Sequence, residues 1–247
     1  FLSLWFKNVV ADIRDVQYCV RRKLSPFPIH YVIAAKLFEK GLIKRAKKIV
    51  TVAPFFHSLF PESIMITNGT DTNIFKPKVS PGNKLSKKMI LYSGSLSEYH
   101  NPEFLAEVIK KVEKLNPEIK FVFIGGGNLM ENFVKQFPNV VYKGEVSRED
   151  VPDFINMADL CISTMSPDYP TVAVKIYDYL ACNKKVISNI DHSSLFGNEV
   201  VTAETPKEFA EKIIKVGGKG DGRKLVLEKY DRKLLAKKYS ELLKSLI

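Results

Sequence analysis

From Met89 onward the chain alternates strand-like and helix-like segments with short connections, and no other feature limits its possible folds as much. Met89–Ser93, Lys120–Ile124, Val140–Tyr142, Leu160–Thr164 and Lys185–Ser188 are short apolar runs of the kind that form buried strands. Pro102–Leu115, Asn128–Phe137 and Arg148–Met157 read as helices, the last with Ser147 as its N-cap, and Thr205 is placed to cap another helix through Val216. Amphipathic helices are expected between Gly222 and Ile247. This alternation predicts an α/β fold with a doubly wound, Rossmann-like parallel sheet. Such sheets gather ligands at the carboxyl ends of their strands. Two glycine turns fall there, SGS at Ser93–Ser95 and GGGN at Gly125–Asn128. They would bring the backbone of Gly94, Ser95, Gly125 and Gly126 to that edge, where N–H groups can hold phosphate or sugar.

The stretch Pro170–Ser188, PTVAVKIYDYLACNKKVIS, is expected to carry the chemistry. Its first part has helical spacing, with Val174, Tyr177, Leu180 and Ala181 on one face and Lys175 and Asp178 on another. Thr171 follows a proline and can cap the first turn, leaving open N–H groups around Thr171, Val172, Ala173 and Val174. A helix N-terminus attracts phosphate, Lys175 adds a full cation, and Asp178 is an acceptor suited to a ribose hydroxyl. That combination suggests a nucleotide-sugar site. An ordinary sheet-covering helix with solvated Lys175 and Asp178 fits the same residues.

Upstream, Phe6–Asp12 reads as a strand ending in Asp12 and Asp15, a polar pair at a position that α/β sheets use for ligands. Capping of the following helix is the plainer role for that pair. A helix is expected from about Tyr31 to Ala46 with Ile33, Leu37 and Ile43 buried, then a strand at Lys48–Val52, a helix from Pro54, and a strand at Ser63–Thr67. NGTD at Asn68–Asp71 is a turn, and the Pro-, Gly- and Lys-containing stretch up to Lys88 has linker composition. The expected division is 1–76, a linker at 77–88, a second domain at 89–230, and a final helix at 231–247 packing back on the first domain. The opening at Phe1, without Met, suggests a chain whose upstream strands are missing.

The formal net charge is +11, and it is uneven. Between Arg21 and Lys48 lie Arg21, Arg22, Lys23, Lys36, Lys40, Lys44, Arg45, Lys47 and Lys48, against Glu39 alone. Such a block favours an anionic partner such as an anionic membrane surface, although solvated lysine faces are common. Aromatics do not interleave with the basic residues, which disfavours nucleic acid. The chain has no apolar run near the roughly 20 residues that cross a bilayer. Cys19, Cys161 and Cys182 lack metal-type spacing and sit among apolar residues, as expected of reduced thiols in the cytoplasm. His30, His57, His100 and His192 are scattered and read as surface or satisfied histidines. GGGN does not extend to G-x-G-x-x-G, because Met130 stands at the third glycine, and no P-loop, H-E-x-x-H or G-x-S-x-G occurs.

Taken together, LFEKGLIKRAKKIVTVAP, ITNGTDTNIFKP, LYSGSLSEYHNPEFL, FVFIGGGN, VVYKGEVSREDVPDFINMADLCIST and VKIYDYLACNKKVIS resemble the family-four retaining glycosyltransferases of GT-B architecture. The resemblance runs from about Asp12 to the C-terminus. It implies a C-terminal domain holding a nucleotide-diphospho-sugar and a partial, Rossmann-like N-terminal domain facing a glycan or lipid-linked acceptor. Base contacts would lie near Tyr142, Gly144, Glu145 and Val146, the ribose at Asp178, and the diphosphate against Thr171–Val174 and Gly94. Lys175 and Asp178 would be the catalytic groups, with Asp12 and Asp15 on the acceptor side. Neither metal nor cofactor is implied, because the nucleotide sugar is itself the substrate. The departures are specific. The family's paired glutamates, eight positions apart, fall on Pro170 and Asp178; Ser95 replaces the usual arginine, and His100–Asn101 occupies the usual lysine region. These losses also admit a non-catalytic nucleotide-sugar-binding subunit or a sugar-nucleotide epimerase of the same architecture.

Overall fold

The computed structural model describes residues 8–14, 30, 33–34, 37, 41, 43–79, 88–168, 171–217 and 220–246. They form two compact units. One comprises Phe1–Asn68, Asp168–Thr171 and Arg232–Ile247; the other comprises Gly69–Pro167 and Val172–Asp231.

In the first unit β1 (Val10–Ile13), β2 (Lys48–Thr51) and β3 (Ile64–Met65) make a parallel three-stranded sheet in that order, with α1 (Pro54–Leu59) between β2 and β3. The sequence gives α1 a clear start, since Pro54 occupies a first-turn position where no N–H is needed. Leu235 of the C-terminal helix Arg232–Lys244 packs on Val50 and Ile66, with Val10, Tyr239 and Leu242 around them. The described residues from His30 to Arg45 are helical, but Ile33 and Leu37 are exposed rather than buried as their spacing suggested. Periodicity marks which residues share a face, not whether that face is covered.

The second unit holds a six-stranded parallel sheet in the order β6-β5-β4-β7-β8-β9. Its strands are β4 (Lys88–Ser93), β5 (Ile119–Ile124), β6 (Val140–Tyr142), β7 (Leu160–Ser163), β8 (Val186–Ser188) and β9 (Val200–Thr202). β4, β5, β7 and β8 are almost wholly buried, as the near-continuous apolar runs of a sheet covered on both faces require. The helix α2 (Pro102–Leu115) starts at Pro102, and Asn101, in a left-handed conformation, caps it by accepting from the Phe104 N–H. Its buried residues Leu105, Val108, Ile109 and Val112 recur at helical spacing against this core. The helix Pro206–Lys215 opens on Thr205, whose side chain accepts from the Glu208 N–H, and meets α2 through the edge-on pair Phe104 and Phe209.

Several boundaries differ from expectation. The break between units falls at Asn68–Gly69, not at 77–88. Lys78 explains part of this: its N–H donates to Asn156 and its ammonium pairs with Asp153 at 2.6 Å, which ties this stretch to the second unit. Helix α4 spans Val151–Met157 rather than starting at Arg148; Ser147 bonds instead with Asp150 in a preceding turn. α3 shrinks to Met130–Val134. Strand β9 was not expected; it is three residues long and forms by pairing with β8, which no local signal announces. Among the described residues no helix is long and apolar enough to cross a membrane.

Candidate functional site

The strand order turns back on itself between β4 and β7, and open α/β sheets bind ligands outside the carboxyl ends at such a switch point. A cavity of about 440 Å³ opens there. The turn after β4 lines it with Ser93, Gly94 and Ser95, and the start of α5 (Val174–Ala181) lines it with Ala173, Val174, Lys175 and Asp178. Tyr179 locks these two elements together, its hydroxyl accepting from the Ser93 N–H at 2.8 Å and bonding the Ser93 hydroxyl at 2.9 Å. Ala173 is the N-cap residue of α5 and supplies no side-chain cap. The Ile176 N–H donates to the Ala173 carbonyl at 3.0 Å, no side chain caps the amides before it, and the helix dipole makes this end attractive to an anion.

Lys175 is the unusual group. Its Nζ is buried, has no hydrogen-bond partner among the described residues, and sits 3.6 Å from the centroid of the Tyr92 ring. Burial pushes its amine down to about 7, because charge is costly where water cannot reach it. A side chain at Gly94 would meet the Lys175 Cε and Nζ at 3.6 and 3.7 Å, so the turn passes directly over the amine. Asp178, one helical turn on, accepts from the Thr70 hydroxyl at 2.5 Å and lines the same cavity. His100 and Arg148 line it too, the Arg148 guanidinium 5.1 Å from the ring centroid of Phe75, another lining residue.

A second cavity of about 350 Å³ shares Gly94, Ser95, Val146 and Val151 with the first and adds Gly125, Gly126, Gly127 and Glu145. Four of its nine lining residues are glycines. Gly125 has φ of +112°, and a Cβ there would fall 2.4 Å from the Gly94 carbonyl oxygen, so glycine is required. The Gly125 N–H donates to the Gly144 carbonyl at 2.8 Å, and the Tyr142 hydroxyl donates to the Gly125 carbonyl at 2.9 Å. The two glycine turns are thus braced against each other and against the segment after β6.

A family model described as Glycosyl transferases group 1 matches residues 87–218. This chain belongs to the group 1 glycosyltransferases. The chain is 25% identical over 166 residues to the spore coat protein SA of Bacillus subtilis, a match covering 60% of this chain and 44% of that protein. It therefore spans less than half of the curated relative it matches. Among solved structures it is similar to the sucrose-phosphate synthase of Thermosynechococcus elongatus, with a TM-score of 0.78 at 14% identity over 99% of this chain and 69% of that one. Anabaena HepE in complex with UDP and glucose gives a TM-score of 0.73 at 16% identity, covering 96% of this chain and 72% of HepE. TarM of S. aureus, in complex with UDP and alpha-GlcNAc-glycerol among others, gives 0.63 at 16% identity, covering 83% of this chain and 46% of TarM. These neighbours place the chain in the Rossmann-like α/β fold of the GT-B enzymes.

Gly94, Ser95, Val146, Ala173, Val174, Lys175 and Asp178 of the expected site meet at the first cavity, and Gly125, Gly126 and Glu145 at the second. Others do not reach a cavity wall. Tyr142 and Gly144 brace the Gly125 turn, and Val172 is buried. Thr171 is not the cap of α5, which begins at Val174 with Ala173 at the cap position; Thr171 groups with the first unit. Val174 is 42% exposed, so it lies off the buried face formed by Tyr177, Leu180 and Ala181. Asp12 pairs with Arg14 at 3.1 Å and accepts from the Tyr239 hydroxyl at 3.4 Å, within the first unit. Asp15, Pro170, Cys19 and most of the basic block lie outside the described residues. Sequence reasoning passed over Thr70, Phe75, His100, Arg148 and Met165, which arrive from separate segments. His100 at least stood at a flagged position, where the family resemblance expects a base.

Proposed function

We propose that this chain handles the donor in transfer of a hexose-type sugar from a nucleotide-diphospho-sugar to a glycan or lipid-linked acceptor, by a retaining, metal-independent reaction of the family-four kind. The observation that carries this reading is the buried, unpartnered Lys175 amine beside the uncapped start of α5, both at the switch-point cavity. A diphosphate is the ligand that completes this arrangement. It would meet the amides at the start of α5 and the Gly94 turn, pair with the protonated Lys175 amine as its counter-charge, and leave the pentose near Asp178. The glycine-rich cavity at Gly125–Gly127 and Glu145 suits the base.

In the transfer the bond between the anomeric carbon and the donor phosphate oxygen breaks. The acceptor oxygen bonds to the same face of that carbon, and its proton passes to the departing phosphate. Charge grows on the diphosphate as this happens, and preorganised dipoles with a cation stabilise it most. Neighbours that hold UDP with glucose or alpha-GlcNAc-glycerol support a uridine nucleotide sugar and a glycan product in this architecture. The basic block between Arg21 and Lys48 supports peripheral attachment to the cytoplasmic face of the cell membrane. Vesicle sedimentation with and without anionic lipid tests that part, and equal partitioning at moderate salt removes it.

A thermal-shift panel of UDP-, GDP- and ADP-sugars tests the donor site. A ligand at 100 times its dissociation constant adds about 2.7 kcal/mol of stability. Lys175→Ala and Asp178→Ala should each abolish transfer while the protein stays folded; unchanged rates in both would refute the assignment. A second reading, donor binding without transfer or as an epimerase, is favoured by Pro170 standing where the family has a glutamate. Product mass and anomer analysis separate these outcomes.

A further inference from the structure

One ring in the cavity is set up to donate a hydrogen bond, and the proposed reaction has not used it. His100 closes a short turn at Glu98–His100, between β4 and α2. The Ser97 N–H donates to His100 Nδ1 at 3.2 Å, and the Ser97 hydroxyl lies 3.0 Å from the same nitrogen. A backbone N–H can only donate, so Nδ1 is an acceptor and the neutral ring carries its proton on Nε2. The turn is also anchored at the end of β7, where Thr164 donates its hydroxyl proton to the His100 carbonyl at 2.6 Å and the Ser166 N–H donates to the Tyr99 carbonyl at 2.7 Å. Nε2 is thus the ring's remaining polar atom, and among the described residues it has no hydrogen-bond partner. The residue lines the cavity with Lys175, Gly94 and Ser95.

Resting on the donor-site reading above, we infer that His100 binds the donor, its Nε2–H donating to a diphosphate oxygen beside Lys175. The ring stays uncharged in the empty site, since burial and the neighbouring Lys175 push it down to about 4. A neutral ring and a readily deprotonated amine can share a small volume without repulsion. A full arginine–lysine pair there would repel itself until the anion arrived. The charged residues that line the cavity with His100 are Lys175, Arg148 and Asp178, and an entering diphosphate would change the local charge most.

The test uses the whole chain labelled with 15N-histidine, its His100 signals assigned through His100→Gln. At pH 7 the ring should be the Nε2–H tautomer. Its Nε2 resonance should move on adding UDP, GDP, ADP or inorganic pyrophosphate, and stay put with the matching nucleosides. A ring protonated on Nδ1, a charged ring, or an Nε2 signal unmoved by a diphosphate that raises Tm would overturn the inference. In parallel, His100→Phe should weaken the diphosphate about tenfold with nucleoside affinity unchanged, and His100→Gln, which keeps a donor, should recover most of it. Equal losses for diphosphate and nucleoside would assign His100 a structural role instead. If none of these ligands raises Tm, the donor site itself is wrong, a result distinct from a His100 that is merely silent.

Discussion

The two cavities at the sheet edge share a wall and are built in opposite ways. The first depends on polar and charged side chains held by specific contacts: Lys175 over Tyr92, His100 by Ser97, and Asp178 by Thr70. The second is rich in glycine, with Gly125, Gly126 and Gly127 in the turn after β5 joining Gly94 in its lining. The difference teaches a division of labour. A diphosphate needs charge that is ready but not wasteful in the empty protein, which only titratable side chains provide. A flat base needs close approach and amide groups, which glycine provides by having nothing in the way.

That contrast can be broken most sharply at Lys175. Lys175→Met should lower transfer by about 100-fold or more, measured as initial rate at saturating donor, since losing one group aimed at developing charge costs on the order of 3 kcal/mol. A loss of only a few fold would mean that the helix N-terminus carries the charge alone. On the backbone side, Gly125→Ala should cost about 2 kcal/mol or more in thermal unfolding, because its φ and the 2.4 Å approach to Gly94 both forbid a side chain. Gly126→Ala should be milder, since its Cβ would meet the Glu145 carboxylate, a flexible end that can swing away.

Acidity sharpens the comparison. Burial pushes the empty-site amine of Lys175 down to about 7, and the proposed donor site would bind a diphosphate through the charged form. Affinity for UDP or pyrophosphate should therefore fall up to about tenfold per pH unit above 7, whereas nucleoside affinity, set at the glycine turns, should stay flat. Calorimetry in buffers of different ionisation enthalpy should show a proton taken up with the diphosphate at pH 8. The same shift acts on the fold. With the amine lowered from 10.5 in the unfolded chain to about 7, the unfolded state binds more protons between those values. Stability of the empty protein should rise with pH across that window, by at most about 1.36 kcal/mol per unit, and Lys175→Met should abolish the slope.

Much of the second unit was legible in the sequence because its signals are local. Pro102 and Asn101 set the start of α2, Thr205 caps the helix from Pro206, and buried strands cannot disguise their apolar runs. Lys175, Asp178 and the two glycine turns could be placed at the sheet edge for a similar reason: helical spacing and glycine turns after strands are local signals. The helix start was misplaced by two residues because Thr171 looks like a cap, yet the cap position is Ala173 and no side chain caps α5. Short elements such as β9, and Ile33 and Leu37 on an uncovered helical face, depend on partners that no window of sequence contains.

By itself, then, the sequence determined the order of strands and helices, the glycine turns and the identity of the charged residues, since each follows from the backbone and side-chain chemistry of a few neighbours. Only the tertiary structure decided that Lys175 would lie unpartnered on Tyr92, that Ser97 would fix the tautomer of His100, and that Thr70 would hold Asp178 from 108 residues away. Burial and ionisation depend on which distant segments exclude water from a group, and that is a property of packing rather than of any stretch of chain.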